Sequence, residues 1–330
     1  MAASTPSTEV FQRKAATRLA IVVAFASVYF FWGSTYTAIR VAGAYMPAFM
    51  LAGIRYTISG SILLAWCRSR GLRLLWPPKA MIVFGVVGLL LLGGGNVGLI
   101  YAEKTVPSGL ASLVYAVTPL YVALIEMFLP NGEPLPRRGW LGLLLGFAGM
   151  VVLVWPSMQS GLAGQSGVLW AYAALLGGAL AWTVGSLVAR HARVETGERA
   201  NSLVAASWQM LIAGVFCSLV GTAMGEWPAV HMNAPAAGSI AYLVVCGSLL
   251  GYTGFVYLLE HLPAAKVLSY AYVNPVIAVL LGIAILGERP APAEFGAMAA
   301  IVLAVFLLTT ARMGAKQEPG EGSEALGRTE

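Results

Sequence analysis

The sequence predicts an all-α membrane protein of ten transmembrane helices, arranged as two inverted five-helix repeats. Three observations predict it. First, the 330 residues are 58% hydrophobic and only 10% charged, with a mean hydropathy of +0.78, which leaves too little polar surface to cover a soluble globule. Second, the apolar residues gather in stretches close to the ~20 residues a helix needs to cross a bilayer. Third, residues 107–133 recur as residues 263–288. A shift of 156 positions lays Tyr101 on Tyr257, Pro107 on Pro263, Thr118 on Asn274 and Pro119 on Pro275, and one inserted residue later Gly132-Glu133 meets Gly287-Glu288. Two prolines at a fixed spacing followed by Gly-Glu mark an internal repeat, which general hydrophobicity does not produce.

Taken in order, residues 1–18 form a polar tail ending in Arg13, Lys14 and Arg18. The apolar run 19–39 follows. Its basic opening, with Ala42-Gly43-Ala44 behind it, resembles a secretory signal, but the run suits a full span better than a short signal core and is read as helix one. Nine further helices are expected at 47–67, 80–102, 107–129, 140–155, 167–189, 202–222, 237–259, 263–286 and 293–310. The fifth is short for a span and would borrow from its flanks. Residues 19–155 form the first repeat, 156–166 an extracytoplasmic linker and 167–312 the second repeat. The Gly-, Glu- and Ser-rich tail 313–330 is expected to be disordered.

Orientation follows from the basic residues. Arg13, Lys14 and Arg18 precede helix one; Arg68, Arg70, Arg73 and Lys79 follow helix two; Arg137 and Arg138 follow helix four; Arg190, Arg193 and Arg199 follow helix six; Arg312 and Lys316 follow helix ten. The opposite connections hold only Arg40, Lys104 and Arg289. Excess Lys and Arg marks the cytoplasmic side, so both termini are placed there. The net charge of +6 is thereby explained by topology, and a nucleic-acid partner is not expected. Five helices per repeat is an odd number, so the second copy enters the membrane the other way up, a plan that recurs in secondary transporters with the substrate bound between the halves.

Trp32-Gly33-Ser34-Thr35 in helix one, Arg55 in helix two, Pro107-Ser108-Gly109 opening helix four, Gly132-Glu133, and the run from Ser269 to Pro275 with Gly287-Glu288 resemble the EamA family of the drug/metabolite transporter superfamily. The resemblance covers about residues 19–312. It implies a ten-helix inner-membrane carrier exporting amino acids, related metabolites or drugs, with no cofactor. The partners it implies are a small-molecule substrate and the lipid bilayer.

The residues themselves carry no enzyme motif. Gly93 to Gly98 satisfies Gly-x-Gly-x-x-Gly but has no preceding strand, so it reads as close helix packing and not as a dinucleotide site. Gly142 and Gly146, and Gly296, Ala300 and Ala304, read the same way, with a homodimer face as the alternative. Cys67, Cys217 and Cys246 lie in apolar stretches without ligand spacing, and His191, His231 and His261 are scattered, so no metal site is expected.

A cavity is expected from polar residues inside spans, because each must face protein or water. On helix nine Lys266, Tyr270 and Asn274 share a stripe, and on helix four so do Ser112, Tyr115 and Thr118. Pro119 and Pro275 should free the carbonyls of Tyr115 and Ala271. Tyr272, Asn96 and its mirror Tyr252, Trp32, Trp182, and Arg55 with its mirror Gln209 complete the candidate wall. For Arg55 two readings stand: bonding to helix-end carbonyls or Glu103, or to a substrate carboxylate. Glu133 and Glu288 are expected to favour the N-termini of helices five and ten. Glu126 and Lys266, at similar depth on helices four and nine, form a candidate gate. The expected function is a secondary transporter exporting small polar metabolites by alternating access, with drug efflux as an alternative and a membrane-embedded enzyme or scaffold as a remoter one.

Overall fold

The computed structural model describes residues 6–128, 137–162, 166–196, 201–262, 267, 270–290 and 292–315. No strand occurs among the described residues. The helices are α1 (Pro6–Gly43), α2 (Ala48–Ser69), α3 (Pro78–Ala102), α4 (Ser108–Tyr115 and Thr118–Met127), α5 (Arg137–Leu162), α6 (Ser166–Thr196), α7 (Ser202–Ala223), α8 (Ala234–His261), α9 (Tyr270–Leu286) and α10 (Pro292–Ala315). Among the described residues, seven segments are long and apolar enough to cross a membrane, in α1, α2, α3, α4, α6, α7 and α8, and two shorter apolar helices, Val273–Leu286 and Phe295–Ala304, lie in α9 and α10. The fifth helix, short as a hydrophobic run, does extend into its flanks.

Helix contacts follow a two-fold pattern. α1 packs on α8 and α9, α6 packs correspondingly on α3 and α4, and the pairs α2–α7, α4–α9 and α5–α10 map onto themselves when the halves are exchanged. Small residues set how closely these pairs approach, because lipid supplies no hydrophobic drive and van der Waals contact has to do the work. On α2 a Cβ at Gly60 would lie 2.5 Å from the Leu211 nitrogen of α7. Between α5 and α10, a Cβ at Gly146 would meet Ala304 at 3.1 Å and one at Gly149 would meet Ala300 at 3.2 Å. The small-residue faces of α5 and α10 therefore pack against each other within the chain, and Gly296 has open space beside it.

Prolines act differently in the two mirrored helices. α4 breaks at Ala116 and Val117, just ahead of Pro119, whereas α9 runs unbroken through Pro275. The Tyr115 carbonyl that Pro119 was expected to leave free accepts a 2.7 Å bond from the Thr118 hydroxyl. The local polar side chain thus repairs the loss that the ring creates.

Glu288 also departs from the expectation. Gly287 ends α9 with φ +67, a left-handed turn that suits glycine, and swings Glu288 over the start of α4 and not of α10. Its carboxylate accepts from Ser108 N at 2.7 Å, Ser108 Oγ at 2.9 Å and Gly109 N at 3.2 Å. Those amides are the orphan donors of a helix N-terminus, where an anion is favoured. Glu226 serves α2 in the same way through Met50 N at 3.0 Å. Glu133 lies outside the described residues. Replacing Glu288 by Ala should lower the thermal unfolding midpoint in detergent by several degrees, a loss of roughly 1–3 kcal/mol, and Gln, which keeps one acceptor, should lose less. An unchanged midpoint in the Ala variant would contradict the cap.

Candidate functional site

A cavity lies where α1, α2, α3, α4, α6, α8 and α9 converge. Its wall takes Trp32, Thr35 and Tyr36 from α1, Arg55 and Tyr56 from α2, and Leu92, Asn96 and Leu99 from α3. Tyr115 of α4, Trp182 of α6, Gly247 and Tyr252 of α8, and Tyr270 and Asn274 of α9 close it. The space open to the centre of a water molecule is about 40 Å³, against roughly 10–15 Å³ needed for one water. The cavity in this conformation has room for a few waters and for nothing the size of an amino acid.

Backbone irregularity positions the wall. α3 becomes a π-helix over Leu89–Asn96 and α8 over Leu243–Tyr252. Asn96 and Tyr252, each the last residue of its segment, stand 156 positions apart, so the two wide turns fall at matching places in the two halves. π turns concentrate at functional sites because they change the angle at which following side chains project. Carbonyls in both segments accept side-chain bonds: Gly95 O from the Tyr115 hydroxyl at 2.6 Å, and Gly247 O from Trp32 Nε1 at 3.0 Å. Two glycines admit the indoles. A Cβ at Gly251 would lie 2.5 Å from Trp32 Nε1, and one at Gly95 would lie 3.0 Å from Trp182 Cε3. The Gly-rich run of α3 is therefore a packing surface for α6, as its setting in an apolar helix suggested.

Aromatic rings make one continuous cluster. Trp32 meets Trp182 at 5.3 Å and Tyr270 at 5.2 Å, both edge-on, and Phe255 at 5.0 Å. Such edge-to-face pairs contribute ~0.5–1.5 kcal/mol beyond their buried area. Behind them the Tyr252 hydroxyl donates to Gln209 Oε1 at 2.7 Å. Arg55, 3% exposed, donates through Nε to Ser248 Oγ at 2.9 Å and lies 4.8 Å over the Tyr56 ring. Arg55 Nη1, the Tyr56 hydroxyl and Asn274 Oδ1 are buried without a protein partner. Trp182 Nε1 is a fourth such atom; an unsatisfied buried polar group costs about 1–3 kcal/mol, more when charged, and here the residues that carry all four line one space.

Eight residues named from the sequence, Trp32, Arg55, Asn96, Tyr115, Trp182, Tyr252, Tyr270 and Asn274, border this cavity. Gln209 stands behind the wall on Tyr252, and Thr118, buried and bonded to the Tyr115 carbonyl, is absent from the wall. Lys266 and the side chains of Glu126 and Tyr272 lie outside the described residues. The sequence reading missed Thr35, Tyr36, Tyr56, Leu92, Leu99 and Gly247. Helical spacing could have found four of them, since Thr35 and Tyr36 follow Trp32 by one turn and Leu92 and Leu99 flank Asn96 by one turn each. Tyr56 and Gly247 left no such signal. The bond to helix-end carbonyls considered for Arg55 is made by Arg40, whose Nη1 donates to the carbonyls of Glu103 and Val106.

Comparison with known proteins places these features. The model of the EamA-like transporter family matches the chain twice, over residues 18–155 and 166–310. The uncharacterized inner membrane transporter YedA of Escherichia coli (strain K12) is 34% identical over 285 residues, 86% of this chain and 88% of that protein. The aromatic amino acid exporter YddG of Ancylobacter novellus is 32% identical over 203 residues, 60% of this chain and 69% of that protein. A protein of known crystal structure superimposes with a TM-score of 0.66 at 26% identity, covering 89% of this chain and 98% of that one.

Glu103 lies just past the end of α3, 1% exposed, with both carboxylate oxygens unpartnered. Burial pushes its carboxyl well above the ordinary range, opposed by Arg40 and reinforced by Glu288. The folded chain therefore holds this proton where an unfolded Glu, with a pKa of about 4.3, has released it. The stability involved is present at low pH and is lost as pH rises through the raised value. The thermal midpoint should fall as pH rises above the ordinary Glu range of about 4.3, and Glu103→Gln, which mimics the protonated form, should flatten that fall. An equal slope in both proteins would contradict a buried neutral Glu103.

Proposed function

The chain belongs to the EamA-like transporter family, and from that premise we propose that it is a secondary carrier exporting small polar metabolites, foremost amino acids, across the inner membrane by alternating access. One observation carries the proposal. The central cavity is walled by helices from both halves of the chain and is too small, at about 40 Å³, to admit a metabolite without the walls parting. A site that is narrow, polar in places and shared between two similar halves is what a rocking carrier needs. The proposed architecture is ten spans in two inverted repeats, 19–155 and 167–312, joined by the linker 156–166, with both termini cytoplasmic. Gly146 and Gly149 of α5 face Ala304 and Ala300 of α10 inside the chain, while Gly296 stays open and is the place left for a homodimer face.

Half of the fourteen lining residues are aromatic. All seven are Trp or Tyr, which supports amino acids with aromatic or large apolar side chains, in keeping with the relative that exports aromatic amino acids. The same rings support drug efflux as the second reading, since drug sites are largely apolar and aromatic. Purified protein in liposomes, loaded with the common amino acids and a set of cationic drugs, should release amino acids without ATP. Release confined to the drugs would overturn the polar-substrate reading. Release of nothing, with turnover of some compound instead, would overturn the carrier.

A further inference from the structure

We infer that Arg55 holds the carboxylate of the transported substrate in the central cavity, so that compounds without a carboxylate are discriminated against; this rests on the carrier reading above and names the residue and the substrate group that give that site its selectivity. Arg55 is only 3% exposed. Its Nε is used on Ser248 Oγ at 2.9 Å, while Nη1 has no protein partner. A guanidinium stays protonated under any physiological condition, and a desolvated charge demands an opposite one. None of the lining residues is Asp or Glu, so the wall itself supplies no counter-ion. Arg40 shows the contrasting case, with its Nη1 engaged by the backbone carbonyls of Glu103 and Val106.

The neighbours of Arg55 complete an anion site. Tyr56, 1% exposed, offers an unpartnered hydroxyl, and its ring lies 4.8 Å from the guanidinium carbon. A planar fork beside a hydroxyl matches the two oxygens of a carboxylate. Gly247 keeps the room clear, since a Cβ there would lie 2.6 Å from Arg55 Nη2. One cation also matches one negative charge, whereas a phosphate dianion would bring a second charge that no lining Lys or Arg besides Arg55 could meet. On the same wall Asn274 Oδ1 is an acceptor without a partner, suited to an ammonium N–H. An α-amino acid presents both groups at once.

The test begins with wild-type proteoliposomes loaded with the common amino acids, to find the one released fastest. Its labelled flux is then challenged by the unlabelled amino acid and by its carboxamide, which has the same side chain and amine but no carboxylate. The inference expects the carboxamide to compete at least about ten-fold more weakly, equivalent to ~1.4 kcal/mol. Arg55→Gln should cut the flux by about ten-fold or more, and Arg55→Lys, a charge without the fork, should retain part of it. Equal competition by the carboxamide, or full flux in a folded Arg55→Gln protein, would overturn the carboxylate site and leave the carrier standing. Release of drugs with no amino-acid flux would overturn the carboxylate site and leave a carrier standing, and release of neither would overturn both. Should Arg55→Gln fail to fold, the competition series in the wild-type protein decides alone.

Discussion

In hydrocarbon, a backbone carbonyl that leaves the helical ladder finds no water to replace its partner, and the centre of this molecule is organised by that constraint. Two π-helical turns lie at matching places in α3 and α8, and each has a carbonyl that accepts a bond from an aromatic side chain on another helix. Trp32 provides one bond and Tyr115 the other. Because these donors also form the cavity wall, the groups that make irregular backbone tolerable are the groups a substrate would touch. Backbone satisfaction and site geometry are one requirement here.

The same economy relates the two halves. Trp32 lies against Gly251 on α8 and Trp182 against Gly95 on α3, and the two indoles meet edge-on at 5.3 Å between them. One pair of tryptophans thus links the packing of α1 on α8 to that of α6 on α3. In a carrier that opens alternately to two sides, that pair is where relative movement of the halves would be felt first, and the glycines give each indole a smooth surface to move over. Arg55 and Gln209, at corresponding places on α2 and α7, support the cavity differently: one presents a charge with an open valence, the other steadies Tyr252.

Much of this was legible in the sequence, and the gaps have a common cause. The repeat, the helices and most of the cavity wall follow from spacing, because a polar residue in an apolar span has few places to go. Spacing does not fix the rotation of one helix against another. Thr118 and Asn274 look equivalent in the alignment, yet α4 breaks before Pro119 and Thr118 turns its hydroxyl to the Tyr115 carbonyl, while α9 continues and Asn274 reaches the cavity. Glu288 was correctly read as a helix-capping anion but assigned to the wrong helix, since the left-handed turn at Gly287 that redirects it is a three-dimensional event. Tyr56 escaped notice because residues adjacent in a helix project about 100° apart, and only packing brings it to the same cavity as Arg55. The π turns have no simple sequence signature, and with them went the reason Gly247 borders the site.

The central claim is that one narrow cavity, shared by both halves, is exposed in turn to the two sides of the membrane. Asn96 borders that cavity while remaining half-buried, so a single cysteine there, in a chain whose Cys67, Cys217 and Cys246 have been replaced, reports on access. Labelling by a membrane-impermeant maleimide, applied to one side at a time in oriented vesicles, measures it directly. The account predicts labelling from either side, slowed from both by a transported amino acid. Labelling from one side only, or labelling that ignores the amino acid, would contradict it.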